Sequence, residues 1–188
     1  MFTSGGGLSC TARTAMEAAN RNGVINVMTE LGGDAGYSAP HRTWAVPAVA
    51  RPWDVARLAS PDTQVFAAEP ALFDDTHRSL GAGERIANPK GQRTICDTIM
   101  TPIPNAVTFP INRDLLASGV VVSDNEVRAA IHFTFEHFKI VTEPGAVVGL
   151  AAILNGRVEI ADRTVATILT GGNISSTRFA RLLEGTDA

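Results

Sequence analysis

The sequence predicts an α/β fold: a mostly parallel sheet with helices on both faces, three layers in all. Three stretches carry that expectation. Val65-Phe66-Ala67-Ala68 is a short apolar run that stops at Glu69-Pro70. Gly119-Val120-Val121-Val122 is β-branched and leads directly into a helix start. Thr164–Leu169 mixes β-branched and apolar residues, then meets Thr170-Gly171-Gly172-Asn173 and a last helix.

The elements follow in order. A helix is expected from near Ser9, after Ser4-Gly5-Gly6-Gly7-Leu8. Residues 20–52 carry Gly23, Gly32, Gly33, Gly36, Pro40, Pro47 and Pro52, which interrupt regular structure and predict loops and short pieces. The chain divides near Trp53. The strand Val65–Ala68 comes next, and Asp74 or Asp75 caps the helix beyond it. After Gly119–Val122, Ser123-Asp124-Asn125-Glu126 supplies a capping box, with Ser123 as N-cap and Glu126 at N3. Val127, Ala130, Ile131, Phe135 and Phe138 then recur at helical spacing as a core stripe, with Lys139 in the last turn. Pro144 fixes the entry to a helix over Gly145–Leu154, which Asn155-Gly156 ends. The strand Thr164–Leu169 and a helix around Thr177–Leu183 complete the series. In such a sheet, ligands sit at the carboxyl ends of the strands.

Composition excludes several classes of function. With 45% hydrophobic and 19% charged residues, 188 residues suffice for one buried core. A formal net charge of −3 leaves no basic excess for phosphate backbones, so no nucleic-acid partner is expected. Apolar stretches are too short to span a bilayer, and the first residues do not resemble a signal peptide, so no membrane role is expected. Cys10 and Cys96 make no disulfide framework, which points to a reducing, cytoplasmic setting. Only Lys90 and Lys139 are lysines, so any mechanism that needs a nucleophilic amine has two candidates.

Four constellations bear chemistry. The glycines of Ser4–Leu8 let backbone N–H groups converge on an anion, or form a flexible end. Glu69 and Asp75, with a carbonyl between them, offer hard oxygens to Mg²⁺ or Ca²⁺, or form a solvated acidic loop with a helix cap. Glu143, in Thr142-Glu143-Pro144-Gly145-Ala146, supports a helix start electrostatically. Thr170 offers a hydroxyl beside two glycines that let a flat ligand approach, or caps a turn. His132 and His137 lie five apart and do not stack as metal ligands; Cys96 reads as a small buried hydrophobe.

In order, Val65–Pro70, Ser79–Arg85, Thr94-Ile95-Cys96-Asp97, Thr108–Asn112, Ser123–Val127, Thr142–Ala146 and Leu169–Asn173 resemble the C-terminal part of the threonine/serine dehydratases. These are fold-type II pyridoxal-phosphate (PLP) enzymes, a group that includes serine racemase. The resemblance is close over residues 57–188 and implies a partial large domain of the tryptophan-synthase-β-like fold. It implies PLP as cofactor, a small hydroxy-amino acid as substrate, and conversion to a 2-oxo acid plus ammonia. An incomplete sheet exposes edges and an apolar face, so homo-oligomers are expected if it folds. Gly5, Gly6, Gly7 and Leu8 resemble the phosphate loop, with Ser4 at the place of its first glycine. Glu143 corresponds to the glutamate beside the pyridine ring, and Thr170 to the hydroxyl at the ring nitrogen. Glu69, the carbonyl of Phe73, and Asp75 match the cation site of the racemase-like branch.

Two departures bear on activity. The Ser-x-Lys-x-Arg-Gly motif that carries the family's Schiff-base lysine does not occur in the 188 residues, and neither lysine has an activating context. Between Gly7 and Glu69 lie 61 residues, where a strand–helix–strand unit needs about 30 in total. Residues 19–52 thus read as an irregular insertion or the product of a shifted reading frame, within one incomplete domain over 1–188. The expectation is a dehydratase-like lyase lacking its own nucleophile. The alternatives are an inactive fragment, a module binding a phosphate ligand or cation, or, within the family, a serine or hydroxyaspartate racemase.

Overall fold

The computed structural model describes residues 24–29, 62–169 and 171–186. Among them, four strands make one sheet: β1 (Val24–Thr29), β2 (Gln64–Pro70), β3 (Ser118–Val122) and β4 (Thr164–Thr167), in the order β3-β2-β1-β4. Every pairing is parallel, as the alternation of strand and helix signals predicts. Parallel neighbours need crossovers, and the helices that make them cover the faces.

The period of β2 assigns those faces. Val65 packs with Leu115 and Leu116, at the end of helix α2 (Phe109–Leu115). Its neighbours Phe66 and Ala68 join the main core instead. Adjacent strand residues point to opposite faces, so the sheet is covered on both sides and the three-layer expectation holds. The main core is built on α4 (Val148–Leu154), which touches β1, β2 and β3. Val148, Gly149, Leu150, Ala151 and Ala152 are all buried, the pattern of a helix enclosed on every side. A 3₁₀ turn over Pro144–Val147 precedes it, so the helix expected from Gly145 tightens at its start. Outside α4 lie α3 (Asp124–Phe133), with Val127, Ala130 and Ile131 buried, and α5 (Ser176–Glu184), with Phe179 and Leu182 buried. Burial of Ile131 alone contributes about 1.5–3 kcal/mol. No helix among the described residues is long and apolar enough to cross a membrane.

The capping box forms as its residues predict. Ser123 Oγ accepts from the Glu126 N–H at 3.3 Å, and Glu126 Oε2 accepts from the Ser123 N–H at 2.6 Å. Loss of such a cap costs about 1 kcal/mol. Burial raises the Glu126 carboxyl's pKa, but hydrogen bonds from Ser123 and Arg157 outweigh that and hold it below the ordinary value.

Three expectations need correction. The core stripe of α3 stops at Ile131: Phe135 is 40% exposed and Phe138 50% exposed. Helix α3 widens into a π turn over Thr134–Phe138, closed by Lys139 in the left-handed conformation at φ 58°. That extra residue per turn rotates Phe135 and Phe138 away from the α-helical stripe, and Lys139 becomes the cap rather than a last-turn residue. Phe135 meets only the edge of Phe179, ring centroids 5.4 Å apart. The second concerns β1, a six-residue strand inside residues 19–52, where glycine and proline density predicts loops and short pieces and leaves this strand unassigned. Val24-Ile25-Asn26-Val27-Met28-Thr29 is a β-branched run falling between the punctuating glycines, and the two neighbouring strands supply its hydrogen bonds. The third is β4, expected as the best strand, which has four residues and sits half-buried at the sheet edge.

Candidate functional site

The carboxyl ends of the parallel strands share one side of the sheet, and two polar clusters form there. The first follows β2. Glu69 is 3% exposed, and its carboxylate accepts from the N–H groups of Thr76 (3.0 Å) and His77 (2.8 Å) in the first turn of α1 (Asp75–Ala82). A carboxylate on those amides satisfies donors the helix cannot use and opposes the positive end of its dipole. Asp75, also buried, accepts from Asn88 Nδ2 at 2.6 Å and Thr101 Oγ1 at 3.1 Å, while Asn88 Nδ2 also donates to the Thr101 carbonyl. Phe73, with a buried side chain, lies between them in sequence and donates its N–H to the Pro70 carbonyl. Glu69 lies near the end of β2, Phe73 in the connection that follows and Asp75 at the start of α1. Their oxygens are hard donors suited to a hard cation, but the hydrogen bonds they already make tie α1 to β2 and to the Asn88–Thr101 stretch. No group of three or more His, Cys, Asp or Glu gathers as a metal cluster among the described residues.

His77, which has no partner legible in sequence, fixes α1 to β3: its Nδ1 lies 2.6 Å from the Gly119 carbonyl oxygen. Only glycine permits that approach, since a Cβ at Gly119 would stand 2.5 Å from the His77 Cα.

The second cluster lies beyond β4. Glu143 donates its N–H to the Gly171 carbonyl at 3.1 Å. Its carboxylate oxygen Oε1 fills the space a side chain on Gly171 would need. The next residue is as close: a Cβ at Gly172 would stand 2.9 Å from the Val141 carbonyl oxygen. A glycine turn is thus laid against Val141–Glu143, with its backbone bare of side chains. Burial raises the pKa of the Glu143 carboxyl above the ordinary value, the negative charge of Asp97 raises it further, and Arg178 opposes both. Cys96, beside Asp97, is fully buried, and burial pushes its thiol up to about 12, so it is no nucleophile at neutral pH.

Gly5, Gly6, Gly7, Leu8 and Thr170 lie outside the described residues. Of the two residues expected beside a cofactor ring, Glu143 is among the described residues, its N–H bonded to the Gly171 carbonyl. Lys90 and Lys139 are both exposed, Lys90 in a turn and Lys139 at the end of the π turn, without the desolvation that activates an amine. Asp97 and Arg178, which act on Glu143, carry no local signal. They lie 81 positions apart and are joined only by the fold.

A bare-backbone glycine turn at the carboxyl end of a parallel strand, with a carboxylate fixed against it, suits a flat, planar ligand. Residues 49–171 match the family model for "Pyridoxal-phosphate dependent enzyme". Serine racemase of Dictyostelium discoideum is 35% identical over 133 residues, covering 68% of this chain and 40% of that protein. L-threo-3-hydroxyaspartate ammonia-lyase of Saccharomyces cerevisiae is 35% identical over 130 residues, covering 69% of this chain and 40% of that protein. The crystal structure of a T.th. threonine deaminase superposes with a TM-score of 0.69 at 28% identity, over 87% of this chain and 55% of that one. The chain spans about two-fifths of the length of these curated relatives. Sheet, glycine turn and sequence agree: the chain belongs to the pyridoxal-phosphate dependent enzymes.

Proposed function

We propose that this chain forms the ring side of a PLP site in a lyase that converts a small hydroxy-amino acid to a 2-oxo acid plus ammonia, the water lost in elimination being taken back as the imine hydrolyses. The observation that carries the proposal is Glu143, lodged against the Gly171 backbone where β4 ends. Support comes from relatives named as hydroxyaspartate ammonia-lyase and phenylserine dehydratase. Serine racemase is a second activity named among the relatives.

The residues present fit the cofactor. Gly171 and Gly172 leave a flat surface, Glu143 stands beside it, and Thr170 is the hydroxyl for the ring nitrogen. Gly5, Gly6, Gly7 and Leu8 are the loop for the phosphate. When bound, PLP draws electrons from the substrate α-carbon. A neutral hydroxyl at Thr170, in place of a carboxylate, would leave a bound pyridine ring unprotonated and so would favour elimination. Glu143, held in a partly dry setting, keeps one wall of the site fixed. The amine that anchors the cofactor belongs to a segment other than these 188 residues, since neither Lys90 nor Lys139 has the surroundings for it. Glu69, the Phe73 carbonyl and Asp75 are the proposed place for a divalent cation, and no step of the chemistry passes through it.

The test uses the 188-residue chain with two probes. Pyridoxamine phosphate needs no lysine and is expected to bind saturably. PLP followed by borohydride is expected to leave Lys90 and Lys139 unmodified by mass mapping. Failure of pyridoxamine phosphate to bind, or a specific stoichiometric adduct on either lysine, overturns the reading. For the cation, calcium is expected to raise the melting temperature of wild-type protein but not of Glu69→Gln.

A further inference from the structure

Arg178, in the first turn of α5, reaches a segment far away in sequence. Its Nη1 lies 2.7 Å from Asp97 Oδ2, and its Nη2 donates to the Ile95 carbonyl at 2.9 Å. The segment it grips is held from the other side too. Thr98 Oγ1 occupies the space a side chain on Gly145 would need, two residues after Glu143. Residues 95–98 are therefore clamped between α5 and the turn that carries Glu143. The side chains of Arg178 and Asp97 are 38% and 47% exposed, and ion pairs that open to water add little to stability. What a two-point guanidinium grip supplies is direction.

We propose that the Asp97–Arg178 pair is a positioning device for Glu143, keeping residues 95–98 and α5 in fixed relation to the carboxylate and the Gly171–Gly172 turn. The inference rests on Glu143 being the ring-side residue of the cofactor site, and it adds two residues outside the chemistry to that site. Asp97, on the 3₁₀ turn Asp97–Ile99, and Arg178, on α5, are the charged groups whose fields reach Glu143, with opposite effects. Burial is the largest influence on the carboxyl, Asp97 adds to it and Arg178 opposes both. Removing either charge removes its own effect on Glu143.

The experiment follows the Glu143 carboxyl carbon by NMR titration in the full chain, assigned with Glu143→Gln, while pyridoxamine phosphate affinity is measured in parallel. Arg178→Gln is expected to raise the Glu143 midpoint and Asp97→Asn to lower it. Affinity is expected to fall several-fold in Arg178→Gln, and Arg178→Lys, which keeps charge without the fork, is expected to restore the midpoint but not the affinity. Unmoved midpoints overturn the proposal, and so do midpoints that move in the same direction, which a general loosening would give. Opposed shifts without ligand binding by the wild type leave the positioning role standing and remove the cofactor reading. Binding with unmoved midpoints does the reverse.

Discussion

Glu143 and Gly171 hold each other twice: a backbone hydrogen bond of 3.1 Å joins them, and the glutamate carboxylate occupies the volume of the side chain that Gly171 lacks. A turn at the end of β4 is thereby tied to the entry of α4, across the mouth of the candidate site. The obstacle to a side chain at Gly171 is the far end of a flexible glutamate, which can swing aside without moving backbone.

Gly171→Ala is therefore expected to leave the protein folded, with at most about 1 kcal/mol of destabilisation. The displaced Glu143 should weaken pyridoxamine phosphate by about tenfold, which is about 1.4 kcal/mol. Thermal melts and a binding titration check both halves; a large loss of stability with unchanged affinity would contradict the arrangement.

Gly119→Ala is expected to behave in the opposite way. The obstacle there is the His77 backbone, which moves only if α1 moves. Destabilisation of about 1–3 kcal/mol is expected, a fall in melting temperature of several degrees for a chain of this size. His77→Ala in the same background removes the imidazole but leaves the backbone obstacle in place, so it should not rescue the loss.

The raised carboxyl of Glu143 makes a prediction about pH. Its pKa is higher folded than unfolded, so the folded state binds the proton more tightly. Stability from this group is full below the ordinary carboxylate range and is lost as pH rises through the folded value. Glu143→Gln should match wild type in acid and exceed it in melting temperature at neutral pH. The gap should open across that window and be small, because the group is partly solvated.

What the sequence makes legible follows the range of the physics. The capping box at Ser123 and Glu126, the stripe through Val127, Ala130 and Ile131, and the β2 and β3 runs depend on near neighbours in sequence, and each is present. The π turn is not legible, because one inserted residue leaves the spacing of Phe135 and Phe138 unchanged in sequence while rotating both outward. Strand β1 is hidden because its partners are supplied by distant segments. Glu143 is legible as a carboxylate at a helix entry and through its family motif, but its neighbours Asp97 and Arg178 are not, since only the closed fold brings them together. The role of Glu69 as acceptor for the α1 amides is local and within reach of the sequence: a carboxylate a few residues ahead of a helix is a common way to satisfy that helix's first donors.

The pairing of Val24 with Thr164 has a consequence for how the molecule assembles. Of the two inner strands, β1 must wait for nearly every other described element to be synthesised before its second edge is covered. Until then β1 offers an open row of backbone groups to whatever strand arrives first, its own or that of another copy.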